Sequence, residues 1–448
     1  LNEINLMVVN SMSYATYDSY KDSGVDWLGE IPSDWDLIPN KHIFKLKNIK
    51  VGKKSSEYDL LSLTLKGVIK RDMENPEGKF PAEFDTYQEV KNGNFIFCMF
   101  DVQETPRTVG LSKFDGMITG AYTVFDVNEN YNRDFLYYFY LNLDLDKRLK
   151  PLYRGLRNTI PKEWFLNFKT FVPSFKQQKA IANFLDDKTV QIDQAIALKQ
   201  QQIEKLGEYK QIVIQNAVTK GLNPNAPMKD SGVEWIGEIP EHWNVIRFRN
   251  AFRFNKGLNI TKENLNDEQG ILCLNYGEIH SKYGFEFIPN VHPLKFVDES
   301  YLKNNQKSLL NDGDFVFADT SEDIEGSGNF SYINGQDLVF AGYHTLIAKP
   351  KINFNSRFIA YVLDSSAFRN QVRLRVKGVK VFSITQAILK TTFIWLPTEQ
   401  EQNEIVKYLD EKMQKFNNAK IAYQIQIDRL KEYKNILINQ AVTGKIKI

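Results

Sequence analysis

Cysteine and long apolar runs are both scarce in this sequence. Its 448 residues include two cysteines, Cys98 and Cys273, each within a hydrophobic run. Two thiols placed in this way exclude a disulfide framework and a cysteine-based zinc site, and such low cysteine usage is typical of the reducing cytoplasm. No apolar stretch approaches the roughly 20 residues that a membrane-spanning helix needs. We therefore expect a cytoplasmic protein with no membrane partner.

The motifs of common catalytic and nucleotide-binding sites are also missing. The sequence contains no G-x-x-x-x-G-K-[ST], G-x-G-x-x-G, H-E-x-x-H or C-x-x-C motif. It also lacks the Asn-Pro-Pro-aromatic signature of base methylation. The histidines are scattered without metal-ligand spacing: His42, His242, His280, His292 and His344. We therefore expect that the chain binds no metal or cofactor and catalyses no reaction by itself.

The composition that is present is that of an ordinary globular protein. Hydrophobic residues make up 42% and charged residues 25% of the chain, which excludes a disordered or fibrous protein. The length gives room for two or three domains. A formal net charge of +2 neither demands nor excludes a nucleic-acid partner, so any argument for DNA must depend on local groups of residues.

An internal duplication organises the chain. Residues 21–35 (KDSGVDWLGEIPSDW) and 229–243 (KDSGVEWIGEIPEHW) are identical at 11 of 15 positions. Residues 203–219 and 427–443 are identical at 10 of 17 positions. Because both matches occur in the same order, the chain consists of two copies of one unit.

The first part of each copy alternates turn signals with short β-branched and aromatic runs. The segments Asn92–Phe97 and Asp312–Phe317 are turn-then-strand patterns in matching positions, as are Gly120–Val124 and Gly342–Leu346. These patterns predict a mixed α/β globular domain in each copy.

The second part of each copy has the pattern of a long helix. Ser174 with Gln177, and Thr398 with Glu401, each form a capping box. Gly221 and Gly444 are helix stop signals. Between these signals, apolar residues recur at helical spacing. The two stripes are Ile181, Leu185, Ile192, Ile196, Ile203, Leu206, Val213 and Ala217, and Ile405, Leu409, Phe416, Tyr423, Ile427, Leu430, Leu437 and Ala441.

Each predicted helix is about 40 residues, or about 60 Å, long. A compact domain cannot cover an apolar stripe of that length, so each helix needs a partner of its own length. The matched stripes favour an antiparallel coiled coil of the two helices. The alternative is that each helix packs separately on its own domain.

Basic residues interleaved with aromatic ones stand at the end of each α/β part. Gly155 and Gly378 align within these clusters, and strand alternation over 373–377 would direct three cations to one face. A cationic face of this kind suits contact with DNA phosphates and guanine edges. The alternative is a solvated edge strand protected by charge. The clusters are Lys147, Arg148, Lys150, Tyr153, Arg154 and Arg157, and Arg369, Arg373, Arg375, Lys377 and Lys380.

Further DNA-contact candidates are selected by residue type and by their place near turns. They are Arg107, Tyr122, Arg247, Arg249, Tyr276, Lys282 and His344. The tryptophan pairs Trp27/Trp35 and Trp235/Trp243 could stack on a ligand, but we expect them to be buried anchors that fix the entry of the chain into each domain.

Three segments together resemble the DNA-specificity subunits of type I restriction–modification systems. They are KDSGVEWIGEIPEHW at 229–243, LPTEQEQNEIVKYLDEK at 396–412 and VPSFKQQKAIANFLDDK at 172–188. The last departs from the family at Phe175-Lys176, where an acidic residue is more common. DVQETPRTVGLSKFDGMITGAYTVF at 101–125 is similar to one subset of target-recognition domains.

The resemblance implies a division of labour beyond what the residues alone indicate. Two target-recognition domains, residues 18–173 and 222–396, would read the two halves of a split, asymmetric site in double-stranded DNA. Long antiparallel helices at 174–221 and 397–448 would set the spacing and dock two methyltransferase subunits. Residues 1–17 are an N-terminal tail without an assigned role in the fold.

The resemblance also implies where cofactors would bind. S-adenosylmethionine would bind the methyltransferase subunits, and ATP and Mg would bind restriction subunits that join the complex. The sequence leaves open whether a restriction subunit is present. Two alternatives remain at this point: a protein-interaction scaffold with two ligand-binding domains, and a specificity protein for a stand-alone methyltransferase–nuclease.

Overall fold

The computed structural model describes residues 14–25, 28–73, 83–378 and 380–448. The chain divides into two units: the first is Leu1–Gln200 with Gln424–Ile448, and the second is Gln201–Tyr423. Most of the predicted N-terminal tail, and Trp27, lie outside the described residues.

The first unit contains short strands and helices that precede one long helix. The strands are β1 (Tyr20–Asp22), β2 (Glu30–Pro32), β3 (Asp36–Pro39), β4 (Phe44–Lys47), β5 (Leu61–Thr64), β6 (Gly67–Lys70), β7 (Gln88–Val90), β8 (Phe95–Phe97), β9 (Val109–Leu111), β10 (Gly116–Ile118), β11 (Thr123–Val127) and β12 (Lys169–Val172). The helices are α1 (Asn40–Ile43), α2 (Arg133–Leu145), α3 (Lys162–Asn167) and the long α4 (Phe175–Lys220), whose last part belongs to the second unit.

The second unit repeats this plan with additional strands. Its strands are β13 (Met228–Asp230), β14 (Glu238–Pro240), β15 (Asn244–Arg247), β16 (Phe252–Lys256), β17 (Ile271–Leu274), β18 (Phe285–Phe287), β19 (Phe296–Val297), β20 (Leu309–Leu310), β21 (Phe315–Ala318), β22 (Thr320–Ser321), β23 (Phe330–Ile333), β24 (Val339–Ala341), β25 (Thr345–Pro350), β26 (Phe382–Ser383) and β27 (Phe393–Leu396). Its helices are α5 (Phe248–Ala251), α6 (Tyr276–Ser281), α7 (Ser356–Asp364), α8 (Ser366–Arg373), α9 (Gln386–Thr391) and the long α10 (Glu399–Val442), whose last part belongs to the first unit.

The sheets confirm the predicted mixed α/β class and the duplication. The first unit has an antiparallel sheet in the order β4-β11-β8-β9, and the second has a sheet in the order β16-β25-β21-β23-β18. The strands of the predicted turn-then-strand segments, β8 and β11, pair with each other, as do their equivalents β21 and β25. The extra sheet β19-β17-β24-β20 is found in the second unit.

The duplicated head of each unit is a small hairpin followed by a buried tryptophan. The hairpins pair β1 with β2 and β13 with β14 in the same register. Trp35 and Trp243 are fully buried, which confirms them as anchors. Trp235 is 37% exposed, so the anchor prediction is wrong for this residue. It lies in the turn between β13 and β14.

Both predicted capping boxes are present at the starts of the long helices. Ser174 and Thr398 accept hydrogen bonds from the backbone N–H of Gln177 and Glu401, and the side chains of those two residues accept from the cap N–H groups in return. These reciprocal bonds satisfy N–H groups that the first helical turn leaves without partners, which explains why α4 and α10 begin immediately after them.

The long helices pack against each other in antiparallel directions within each unit. In the first unit, Lys434 of α10 forms an ion pair of 2.7 Å with Asp193 of α4. In the second unit, the rings of Tyr209 and Phe416 meet edge to face at 5.6 Å. From Asp193 to Tyr209 the residue number rises along α4, while the number of the contacting residue on α10 falls from Lys434 to Phe416, as an antiparallel pair requires.

Every residue of the two predicted stripes is buried or half-buried. The expectation that only the other helix covers them is nevertheless incomplete. Ile181 and Leu185 of α4 share one core with Phe135 of α2 and Leu437 of α10, and Ile405 and Leu409 are covered in the equivalent way in the second unit. The outer turns of each helix therefore pack on an α/β domain as well, because the domains offer large aromatic side chains there.

A repeated hydrogen-bond arrangement fixes each α/β domain to the long helix that follows it. The backbone N–H of Asn132 donates to the side chain of Gln178 on α4, and that of Asn355 donates to Gln402 on α10, both at 2.8 Å. The side chains of Asn132 and Asn355 also cap α2 and α7. The start of α2 is thereby joined to the first turn of α4 in the first unit, and the start of α7 to the first turn of α10 in the second.

Within the described ranges, none of the helices combines the length and apolar character needed to cross a bilayer.

Candidate nucleic-acid interface

The first basic cluster lies on a tight loop at residues 154–159, which we call the first loop. The backbone N–H and C=O groups of Arg154 and Thr159 bond to each other at 2.8 and 3.0 Å. Between them, Gly155 and Asn158 adopt positive φ angles of 68° and 44°, conformations that glycine and asparagine tolerate best. The predicted strand–Gly–strand element is therefore one isolated pair of residues closing a turn. The left-handed residues bend the backbone too sharply for a ladder to continue.

Both arginines of the first loop are held by groups at its base. The guanidinium of Arg154 lies 3.6 Å from the ring centroid of Trp164, and it donates to the Pro151 carbonyl at 3.1 Å. The guanidinium of Arg157 pairs with both carboxylate oxygens of Asp101. These hydrogen bonds hold the pKa of the Asp101 carboxyl below its ordinary value. Both arginines remain exposed, so their outer N–H groups face solvent.

Tyr122 belongs to the same surface through an intermediate ring. Phe100 lies beneath the Arg157 guanidinium at 5.4 Å and is stacked on Tyr122 at 6.2 Å. Burial raises the pKa of Tyr122. The structure thus brings together two candidates, Tyr122 and Arg157, that stand 35 positions apart in the sequence.

The other basic residues of the first unit divide into exposed and engaged groups. Lys150 is exposed at the start of a 3₁₀ turn, Lys150–Leu152. Lys147 pairs with the buried Asp144 at 2.7 Å, and Arg107 lies 3.8 Å from the same carboxylate. Arg107 is half-buried, with two guanidinium nitrogens that have no hydrogen-bond partner among the described residues. It therefore faces the protein interior and is a poor candidate for contact with DNA.

The prediction of a cationic strand at Arg373-Leu374-Arg375 is wrong. Helix α8 extends to Arg373 and is followed by a turn. Its N-cap Ser365 accepts a bond from Phe368 N–H, and Gln371 bonds to the backbone at Phe393. These tertiary contacts determine helix over strand here, although the alternating charges suit a strand.

The arginines at this helix end bond to backbone carbonyls. Arg373 donates to the Glu325 carbonyl at 2.6 Å, and Arg375 donates to the Gln371 carbonyl at 2.6 Å. Burial and the neighbouring Arg369 lower the pKa of Arg373. Arg373 is therefore bonded to the loop that contains Glu325. The prediction that three cations share one face is wrong.

The lysines that follow lie on a loop at residues 377–383, which we call the second loop and of which residue 379 lies outside the described residues. Lys377 pairs with Ser383 through the backbone. The side chains of Lys377 and Lys380 are exposed. Like the first loop, the second loop is closed by one isolated pair of residues and displays cations.

The second loop borders a cavity of about 760 Å³ in the second unit, and most of the residues that line it are polar. We call it the second-unit cavity. It is lined by Tyr276, Gly277, His280, Ser281, Thr320, Ser321, Glu322, Asp323, Glu325, Gly326, Asn329 and Val381. Of these, sequence reasoning selected only Tyr276 as a DNA-contact candidate. The Ser/Asp/Glu/Gly-rich run after β21 is a loop signal that could have directed attention to this region.

Hydrogen bonds fix the orientation of His280 in this cavity. One ring nitrogen lies 2.7 Å from the Thr320 carbonyl, and the other lies 2.9 Å from the amide nitrogen of Asn329. The Asn329 oxygen accepts a bond of 2.9 Å from Arg369, so its amide nitrogen must donate to the ring.

The lining of the second-unit cavity is rich in hydrogen-bond acceptors. Glu322, Asp323 and Glu325 add carboxylates to the hydroxyl and amide groups there. Carboxylates repel phosphate but accept bonds from the exocyclic amino groups of cytosine and adenine. The described residues include no His, Cys, Asp or Glu group that could hold a metal ion. This arrangement suits the edges of bases, whereas the exposed lysines beside it suit phosphates.

His344 and Lys282 lie near the cavity without lining it. His344 has a φ of 56° and sits in the turn before β25. A bond of 3.1 Å to Asp319 and a ring contact of 5.3 Å with Tyr276 hold it in this conformation. Lys282 is exposed at the end of α6. The structure therefore brings Tyr276 and His344 together.

Arg247 and Arg249 lie far from these loops in the sequence. Arg247 stacks on Phe393 at 4.8 Å beside the pairing of β15 with β27. Arg249 is exposed on α5, and its carbonyl accepts a bond from Lys351. Neither residue forms a hydrogen bond or ring contact with the second loop in the described part of the chain.

Comparison with known proteins gives a consistent family. Residues 240–426 match the family described as type I restriction modification DNA specificity domain. The chain is 27% identical over 319 residues to the type I restriction enzyme MjaVIII specificity subunit of Methanocaldococcus jannaschii, covering 70% of this chain and 71% of the relative. It is 24% identical over 440 residues to the putative MjaX specificity subunit of the same organism, covering 94% and 96%.

A solved structure from work on complex assembly and conformational transition of the type I restriction–modification system has the same fold. It aligns with a TM-score of 0.67 over 92% of this chain and 98% of its own, at 14% identity. Together with the duplicated α/β domains and the antiparallel long helices, these comparisons make the chain similar over most of its length to the DNA-specificity subunits of type I restriction–modification systems.

Proposed function

We propose that this chain reads a bipartite, asymmetric DNA sequence and scaffolds the methyltransferase subunits that modify it. The observation that carries the proposal is the repeat itself. Two α/β domains share one set of strand pairings and helix attachments, yet present different loops. Two related but distinct surfaces on one chain suit the two unlike halves of a split site.

The exposed loops supply the contacts that such recognition needs. Phosphate contacts position a protein on DNA, and contacts with base edges provide sequence specificity. In the second unit, Lys377 and Lys380 would contact phosphates while the acceptor-rich cavity reads bases. In the first unit, Lys150 and the outer N–H groups of Arg154 and Arg157 would contact phosphates.

The subunit itself would be non-catalytic. Two methyltransferase subunits would bind the paired helices and carry S-adenosylmethionine, and any restriction subunits would carry ATP and Mg. Exposed apolar side chains on the helices support this docking role: Val190, Leu198 and Ile212 on α4, and Ile421, Ile425 and Ile436 on α10. Since its substrate is the DNA of its own cell, the complex would act in the cytoplasm.

Methylation mapping tests the proposal directly. The chain is co-expressed with a methyltransferase subunit of the same operon, and methylated adenines are mapped across the host genome. We expect a split motif with a fixed gap that disappears when either partner is omitted. A stable complex that leaves no methylated motif would contradict the proposal and favour a protein-interaction scaffold.

A further inference from the structure

The first loop presents one fully exposed apolar side chain. Leu156, at the tip of the loop, has a relative exposure of 105%. The other exposed leucines of the described chain are partly covered, with values between 39% and 66%. Single exposed leucines are common on protein surfaces, but one that projects completely from a loop tip gains no stability from its own fold.

The loop is built to hold this tip in place. The backbone pair of Arg154 with Thr159 closes it, and left-handed residues on either side of Leu156-Arg157 make the turn sharp. Arg154 is stacked on Trp164, and Arg157 is paired with Asp101. The arginines therefore act first as supports, and the group they extend outward is the isobutyl side chain of Leu156.

The surroundings of the tip favour DNA over a protein groove. Leu156 is flanked by Arg154 and Arg157, and Lys150 is exposed nearby in the sequence. An apolar side chain between cations can insert at a base step while the cations bind the phosphates on either side. Leucine is among the residues that proteins use as such wedges.

We propose that Leu156 is a wedge that partly unstacks one base step in the half-site read by the first unit. The inference rests on the proposed function and names the group by which the first domain deforms its DNA. In the second loop, Val381 is 52% exposed and lines the second-unit cavity.

Fluorescence of 2-aminopurine tests the wedge in the complete complex with its methyltransferase subunits. The probe is a duplex carrying the motif found by methylation mapping, with 2-aminopurine replacing single adenines across each half-site. We expect the wild-type complex to raise the fluorescence at one step of the first half-site. Leu156→Ala should abolish that rise and weaken binding about ten-fold, whereas Leu156→Met and Leu156→Phe should retain it.

Leu338→Ala is the matched control, because Leu338 is also an exposed loop leucine but follows an acidic residue, Asp337. It should bind and fluoresce like the wild type. Unchanged fluorescence and affinity in Leu156→Ala would overturn the wedge while leaving the proposed function intact. Loss of methyltransferase subunits from Leu156→Ala, with normal fluorescence from the complex that remains, would overturn it in favour of a protein contact. A wild-type complex that fails to bind the mapped duplex would instead refute the proposed function.

Discussion

Tyr361 of α7 donates a hydrogen bond of 2.6 Å to Asp410 of α10, and Tyr138 of α2 donates one of 2.7 Å to Asp186 of α4. The duplication thus repeats a specific side-chain contact between an α/β domain and a long helix. In the second unit Arg357 also bonds to Asp410, at 2.8 Å. Such contacts fix the angle at which each recognition domain leaves its helix.

Removing the Tyr361 hydroxyl should loosen this attachment. We expect Tyr361→Phe to lower the free energy of unfolding of the second unit by about 1–2 kcal/mol, because the Asp410 carboxylate loses a charge-assisted bond. Chemical denaturation measures the change. Tyr209→Phe is the control: its ring packs on Phe416, and its hydroxyl has no hydrogen bond within the described residues. Equal effects of the two substitutions would contradict the assigned role of the bond.

Glu286 should make the second unit sensitive to acid. Burial opposes its ionisation, but hydrogen bonds from Tyr332, Asn334 and Arg357 more than compensate, so the pKa of Glu286 lies below its ordinary value. A lowered folded pKa contributes stability that is present above the unfolded pKa, about 4.3, and is lost as the pH falls through the folded pKa.

Glu286→Gln should therefore flatten the acid limb of the stability curve. We expect the variant to be less stable than the wild type at pH 6 and the two curves to converge toward pH 3. Unfolding experiments across this range measure the difference. A constant gap at every pH would show that the substitution acts through packing rather than charge.

The exposed lysines of the second loop should contribute affinity without sequence preference. We expect Lys377→Glu with Lys380→Glu to weaken DNA binding and to reduce the slope of log K against log salt by about one for each phosphate that the variant no longer neutralises. Titrations at several salt concentrations measure the slope. Lys303→Glu is the control, because it makes the same charge change per residue on a 3₁₀ turn of the same unit, Glu299–Lys303. This control should alter the salt slope less than the double variant does. Equal slopes for both variants would argue against a specific contact.

The carboxylates of the second-unit cavity should affect which bases are read. We expect Asp323→Asn and Glu325→Gln to relax or change the base preference at positions of one half-site. An ionised carboxylate only accepts hydrogen bonds and so favours the amino groups of bases, whereas an amide also carries a donor and can bond to base acceptors. Methylation mapping of each variant measures the change. An unchanged motif, or a change in both halves, would exclude the cavity from base recognition.

Sequence patterns predicted the features that depend on local periodicity. The capping boxes at Ser174 and Thr398 and the apolar stripes require only residues within a few turns of each other, so they could be read directly. The strand prediction at Arg373 failed because Ser365 and Gln371, in contact with Phe393, stabilise a helix there. Alternating charge alone could not reveal those contacts.

The candidate interface was less predictable, because it depends on contacts between distant residues. His280 meets Asn329 across 49 positions, and Arg157 meets Asp101 across 56. Sequence reasoning therefore selected the cluster around Gly155 but assigned the DNA contact to its arginines. Their partners, and the exposure of Leu156, are properties of the folded loop.

Each α/β domain should determine one half of the motif independently of the other, and an exchange of one domain tests this. The α/β part of the second unit, residues 222–396, is replaced by that of a relative with a different motif, and methylated adenines are mapped again. One half of the split motif should change while the other half and the gap between them stay the same. Changes in both halves, or in neither, would contradict this expectation.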